Sequence, residues 1–177
     1  MYVEGSGSVP EFTAWQTAGT ESDTGACYSN DTEHVSSNDT RVEGNCTSSF
    51  RLSNFGLTGT EVPSGSTINS VEVHVEAHGG SASQANRRRY DLWMVDGAAS
   101  DCSSPGIDNH QLPQNAEDDT TFLQDDLADP LWGCTAALDQ ADVVDTDFGI
   151  RWQHTASTGG NVIGIDFVEI RVEFTPP

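Results

Sequence analysis

The chain has 177 residues in which 28 Asp plus Glu face 7 Arg and no Lys, for a formal net charge of -21. That balance argues against nucleic acid and anionic membranes as partners, since both are held by clustered cations, and 35% hydrophobic residues suits one core rather than two independent domains. Such a surface repels itself in dilute buffer, whereas at about 1 M salt the Debye length falls to roughly 3 Å, so concentrated brine is the expected solvent.

Residues 1–10, rich in Gly and Ser and closed by Pro10, read as an extended N-terminal arm, and residues 11–177 as one β-sandwich domain. Met1 to Gly7 lacks the basic and apolar regions of a signal peptide, and no run approaches the ~18 apolar residues of a membrane span. Synthesis in the cytoplasm without a cleaved leader is therefore expected. Phe12 to Gln16 is the first short strand candidate. The polar stretch 17–47 follows, containing Cys27 and Cys46 and the glycosylation sequons at Asn30, Asn38 and Asn45, for which occupancy is not expected without export.

Ser48 to Ser53 is the next strand candidate, after which Phe55-Gly56 and the turn Pro63-Ser64-Gly65 lead into Ile68 to His78. There Val71, Val73, Val75 and Ala77 alternate with Glu72, His74, Glu76 and His78, the two-residue period of a strand with one buried face. Arg87-Arg88-Arg89 is the one basic cluster and opens the strand Arg89 to Val95. Two uses suit it: clamping carboxylates of a neighbouring subunit or pairing with acidic loops of its own chain. A second long polar connection, 96–129, contains Cys102 and precedes Trp132, Gly133 and Cys134. Leu138 to Val143 is the one helix-like stretch. Phe148 to His154, Asn161 to Ile165 and Phe167 to Phe174 complete the strands, the last with Val168, Ile170, Val172 and Phe174 on one face.

These elements describe an all-β chain, an antiparallel β-sandwich of jelly-roll type with long disulfide-pinned loops. The four cysteines permit three pairings. Lacking the short spacing of a zinc site, they are read as Cys27–Cys46 and Cys102–Cys134, with four reduced buried thiols the alternative. Glu72, His74, Glu76 and His78 are close enough on one face to share a metal ion, but a solvated polar face accounts for them without one. Asp118-Asp119, Asp125-Asp126 with Asp129, and Asp139, Asp142, Asp145 with Asp147 offer oxygen ligands without the spacing of an EF-hand. No cofactor is expected, and bound Ca²⁺ or Mg²⁺ would be adventitious. No nucleophile elbow or phosphate loop is present in the sequence, so the chain is read as no enzyme.

Several blocks go beyond a generic strand pattern. They are Phe50-Arg51-Leu52-Ser53-Asn54-Phe55-Gly56-Leu57, Val62-Pro63-Ser64-Gly65-Ser66-Thr67-Ile68, Tyr90-Asp91, Asp129-Pro130-Leu131-Trp132-Gly133, Ala141-Asp142-Val143, Asp147-Phe148-Gly149-Ile150 and Asp166 to Val172. In this order, from Trp15 to Phe174, they resemble a β-sandwich module that recurs in structural proteins of tailed viruses and prophages. The Lys-free acidic composition is similar to that of proteins from halophilic archaea and their viruses. Phe55, Gly56, Pro63, Gly65, Asp91, Trp132, Gly133, Phe148, Gly149 and Asp166 make sense as scaffold, with Trp132 plugging one end and Asp91 and Asp166 bonding to loop backbone. Pro130, both cysteine pairs and the enlarged loop at 98–128 depart from the pattern, so loop-borne functions do not carry over.

The resemblance implies a virion structural protein of a tailed virus of halophilic archaea, on the virion surface as a capsid decoration or turret, or else in the tail or baseplate. Expected partners are other copies of the chain and neighbouring virion proteins; the charge cluster Arg87, Arg88 and Arg89 is read as the subunit interface, and outward loops bearing Trp, Tyr, Asn and Asp as the surface for host glycans. A carbohydrate-binding or adhesion module of a halophilic cell is the rival.

Overall fold

The computed structural model describes residues 8–23, 28–29, 42–44, 49–80, 88–103, 105–123, 127, 129–134, 138–155 and 163–177. The fold is all-β, with twelve described strands and one helical turn. They are β1 (Glu11–Phe12), β2 (Gln16–Thr17), β3 (Thr20–Asp23), β4 (Tyr28–Ser29), β5 (Val42–Gly44), β6 (Ser49–Ser53), β7 (Thr67–Gly79), β8 (Arg89–Val95), β9 (Ile107–Gln111), β10 (Ala116–Phe122), α1 (Gln140–Val143), β11 (Gly149–His154) and β12 (Ile163–Thr175). A seven-stranded sheet runs β10-β7-β12-β5-β4, with β1 and β2 also on β12, and a five-stranded sheet runs β3-β6-β11-β8-β9. Every strand pairing among the described residues is antiparallel. From β5 onward the pairing is nested: β5 bonds β12, β6 bonds β11, β7 bonds β10 and β8 bonds β9.

The core lies between the two sheets. Val71, Val73, Val75 and Ala77 of β7 and Val168, Ile170 and Val172 of β12 face Phe50 and Leu52 of β6, Leu92 and Met94 of β8, and Ile150 and Trp152 of β11, all buried. Branched side chains at every second position fit this pleated, half-buried surface. The β6–β11 contact is so close that a Cβ at Gly149 would fall 2.0 Å from the Leu52 carbonyl oxygen, so only glycine can open β11 there. Phe55 and Phe148 are buried beside it.

Several sequence boundaries are corrected. Phe12 to Gln16 is two short strands, because Thr13 leaves the ladder: its N–H donates to the Val172 carbonyl and its Oγ1 accepts from the Val172 N–H. The two candidates ending at Ile165 and beginning at Phe167 are joined in one strand, Ile163–Thr175, with Asn161 and Val162 outside the described residues; a bulge between Ile165 and Phe167 shifts the buried face from odd to even positions. The connections 17–47 and 96–129 are not plain loops. The first contains β3, β4 and β5, and the second contains β9 and β10, whose polar sequences lack apolar alternation. Helix α1 is a single turn held by a capping box between Asp139 and Asp142.

Cys102 and Cys134 form a disulfide with Cα atoms 4.4 Å apart. It ties the segment after β8 to the turn at Trp132. Asp129 shapes that turn by accepting from Leu131 N–H and Gly133 N–H at 2.9 and 3.1 Å. Trp132 is wholly buried and its Nε1 donates to the Val71 carbonyl at 2.7 Å. Its ring leaves no space at Gly106, where a Cβ would lie 2.1 Å from Trp132 Cε3. Cys27 and Cys46, the three sequons, Arg87, residues 1–7 of the arm, and Asp125 and Asp126 lie outside the described residues.

Candidate functional site

Two histidines gather the polar groups, one on each side of the large sheet. The first, His74, points outward from β7, the second strand of the large sheet. Antiparallel register sets Glu169 of β12 directly across from it, and β10 carries Asp119 on its other flank. His74 Nδ1 lies 2.9 Å from Glu169 Oε1, and Nε2 lies 2.6 Å from Asp119 Oδ1. Ionised carboxylates only accept, so only the imidazolium form of the ring can donate to both at once. Burial opposes that charge, but the bonds to Asp119 and Glu169 and their negative charge outweigh it and raise the His74 pKa above its ordinary value. Trp15 and Phe167 meet the ring edge-on at 6.2 and 5.9 Å.

Ligand atoms of His74, Glu76 and Asp119 lie within 4.8 Å of one another, which makes this the group among the described residues closest to a metal centre. In its imidazolium form the ring has no lone pair for a metal, so a cation would compete with the proton that the bonds to Glu169 and Asp119 favour. Beside it, Glu72 is buried and accepts from Arg171 Nε at 2.6 Å. The Arg171 guanidinium lies 4.5 Å from the Phe12 ring centre and 4.7 Å from that of Trp15. These contacts fasten residues 11–17 against the outer face.

The second histidine, His110, faces inward from β9 at the edge where the two sheets part. Its Nε2 lies 2.7 Å from Asp118 Oδ2, which also accepts from Thr120 Oγ1 at 3.0 Å. Asp118, Thr120 and Phe122 take the inward positions of β10, so this edge of the sandwich is filled with polar groups where the centre holds Val and Ile. Behind them Tyr90 is wholly buried, stacked on Trp152 at 3.8 Å and tilted against His110 at 5.0 Å. Its hydroxyl has no hydrogen-bond partner among the described residues, and burial together with the Asp118 charge pushes its pKa well above the ordinary phenol value. A cleft of about 450 Å³ opens between β9 and β10, lined by Ile107, Asp108, His110, Thr120 and Phe122 among others.

The outer face of the small sheet is different again. Arg51 and Arg151 are cross-strand neighbours, and Trp93 stands opposite Arg151 on the other side. The Arg151 guanidinium stacks 3.8 Å over the Trp93 ring. Its Nε is 2.8 Å from Asp101 Oδ2, an ion pair out of hydrogen-bonding alignment, and Arg51 reaches Asp101 Oδ1 at 3.4 Å. Asp91, also on this sheet, accepts from the Asn109 N–H at 2.6 Å. Burial raises its carboxyl pKa, with the Asn109 bond opposing, Asp108 adding to the rise and Arg151 opposing.

The structure thus brings His74 and Glu76 to the outer cluster and adds Asp119 and Glu169 from other strands. Arg88 is buried and donates from Nη1 to the Leu112 carbonyl at 2.6 Å, while Arg89 is half-buried with Nη2 3.5 Å from Gln111 Oε1. Pro63 accepts from the Ser66 N–H in the turn where Gly65 takes a left-handed φ of 87°. Gly56 and Gly133 also have positive φ, and Asp166 is buried at the β12 bulge. The His110–Asp118 pair was not singled out from sequence. Its signal was present as His110, Asp118 and Thr120 in a stretch read as loop. No protein family, curated protein or solved structure matches this chain.

Proposed function

We propose that this chain is a non-enzymatic structural protein on the virion surface of a tailed virus infecting halophilic archaea, serving as a capsid decoration or turret. In this reading the sandwich is a jelly roll, and the nested pairing β5–β12, β6–β11, β7–β10 and β8–β9 supports it. Double-sheet jelly rolls are used in viral capsid and lectin domains. The observation that carries the proposal is how the described charges are disposed on this sandwich. Glu76, Asp119, Glu169 and Glu173 crowd the outer face of the large sheet, where Arg171 is taken up by Glu72, while Arg51, Arg89 and Arg151 share the outer face of the small one with Asp91.

Copies of one chain with an acidic face and an arginine-bearing face can pack head to tail, and closed rings follow when the rotation closes. The partners assigned here are other copies of the chain, neighbouring virion proteins and host-surface glycans, with no nucleic acid, membrane or cofactor. Synthesis in the host cytoplasm followed by lysis would deliver the protein to an oxidising exterior, where Cys102–Cys134 persists. The test is quantitative mass spectrometry of purified particles. A fixed copy number per particle is expected, and absence from particles overturns the proposal. The polar cleft between β9 and β10 favours a second reading, a carbohydrate-binding or adhesion module of a halophilic cell, for which the protein would be found on cells that carry no virus.

A further inference from the structure

We infer that His74, Glu76 and Asp119, on the outer face of the large sheet, form a site for one divalent transition-metal ion of the zinc class, with Glu169 orienting the imidazole. The inference goes beyond the contact reading, because the ion is a structural link between strands rather than a reaction's cofactor, and it stands whether or not the chain is found on particles. Register supplies the ligands. Glu76 and Asp119 are direct partners across β7 and β10, and His74, two residues before Glu76, shares its face. One ligand atom from each of the three lies within 4.8 Å of the others. The Asp119 side chain is 70% exposed, so it can turn to close on an ion held at about 2.0–2.2 Å from each ligand.

The ring is already set for such an ion. A metal-bound imidazole ordinarily donates its other N–H to a carboxylate, which fixes the tautomer and the ring plane. His74 Nδ1 has that carboxylate in Glu169 Oε1, 2.9 Å away, and Nε2 is directed at Asp119 Oδ1, 2.6 Å away. The ion takes the place of the proton between Nε2 and Asp119, and that proton passes to solvent. Trp15 and Phe167 meet the ring edge-on and give the site an apolar border. Charge points the same way. Among the described residues no arginine pairs with Glu76, Asp119 or Glu169, since Arg171 is taken up by Glu72 and Arg51 and Arg151 by Asp101. Three carboxylates thus surround one ring that carries at most one positive charge, an excess that a divalent cation offsets. Ligand chemistry then chooses among cations: Ca²⁺ and Mg²⁺ favour oxygen ligands, whereas imidazole nitrogen suits zinc and its neighbours.

The test is calorimetric titration of the full chain in molar NaCl with ZnCl₂ and, separately, CaCl₂ and MgCl₂, at about pH 8, above the ordinary histidine pKa near 6.5. The His74 imidazole resonances are followed in parallel. One Zn²⁺ per chain is expected, with Kd of order 10 μM, about tenfold or more tighter than Ca²⁺ or Mg²⁺, and with those resonances shifted. His74→Gln and Asp119→Asn should each weaken Zn²⁺ binding by about tenfold or more; the second changes an exposed side chain and leaves the fold intact by circular dichroism. Glu169→Gln removes no ligand, yet it should weaken binding about tenfold, as loss of an orienting carboxylate does. His78→Gln, two residues beyond Glu76 on the same face, should leave the affinity unchanged. Absence of Zn²⁺ binding, Ca²⁺ or Mg²⁺ bound as tightly as Zn²⁺, an affinity that survives both His74→Gln and Asp119→Asn, or a greater loss from His78→Gln than from either would overturn the inference.

Discussion

An imidazole with a carboxylate at each nitrogen gains by keeping its proton, and His74 stands in that position between Glu169 and Asp119. Glu76 of its own strand, Trp15 from the N-terminal segment and Phe167 of β12 complete its surroundings. Its folded pKa lies above the unfolded value near 6.5, so its contribution is complete below about pH 6.5 and is lost as pH rises through the folded value. Melting temperatures of wild type and His74→Gln, measured across that window, should converge as pH rises; a constant gap refutes the ion-pair account. Trp132 makes a second prediction. Trp132→Ala removes a wholly buried ring and should cost about 3–5 kcal/mol in equilibrium unfolding. Trp132→Phe should cost less, about 1–3 kcal/mol, since it mainly strands the Val71 carbonyl. Equal losses would mean that the indole hydrogen bond, not packing, dominates.

Strands separate into those whose own residues specify them and those specified by a neighbour. β7 and β12 alternate branched apolar residues with charges, so their pairing is written in both sequences. β10, Ala-Glu-Asp-Asp-Thr-Thr-Phe, has almost no apolar face, yet it pairs with β7 over seven residues. The free backbone groups of β7 require a partner, and β10 at the sheet edge supplies one while its acidic side chains discourage pairing with another molecule. Such a strand reads as loop because its stabilisation comes from the ladder, not from burying its own side chains. The β12 bulge has the opposite effect: a change of parity at Asp166 makes one strand look like two. The disulfide tests this level of organisation. Cys102 and Cys134 are 32 residues apart, for which chain entropy gives about 3–4 kcal/mol. A Cys102→Ser, Cys134→Ser variant should lose about that much in denaturant unfolding; an unchanged midpoint would show that the Asp129 turn and Trp132 suffice.

At the scale of the whole molecule, a net charge of -21 on one sandwich makes the solvent part of the stability. Circular dichroism during dialysis from molar salt toward about 0.1 M, where charges interact over roughly 10 Å, should show loss of strand signal. Retention of the fold there contradicts the brine reading. Self-association gives a second check. Arg51→Glu combined with Arg151→Glu should lower the assembly mass seen by light scattering in molar salt if the small-sheet face meets acidic neighbours. An unchanged mass assigns those arginines to Asp101 and Trp93 within the chain.

Composition and alternation by themselves determined that this chain is acidic, all-β and built around β7 and β12, because charge is additive and a buried strand face must repeat every two residues. The Cys102–Cys134 pair was legible for a related reason, as each cysteine flanks a long polar segment. Only the tertiary structure decided that Asp119 and Glu169 close on His74, that Arg88 is turned inward to Leu112, and that His110 of β9 meets Asp118 of β10. These groups lie on different strands, and the register that brings them together is set by ladders and bulges spanning the two sheets, which no local pattern of residues encodes.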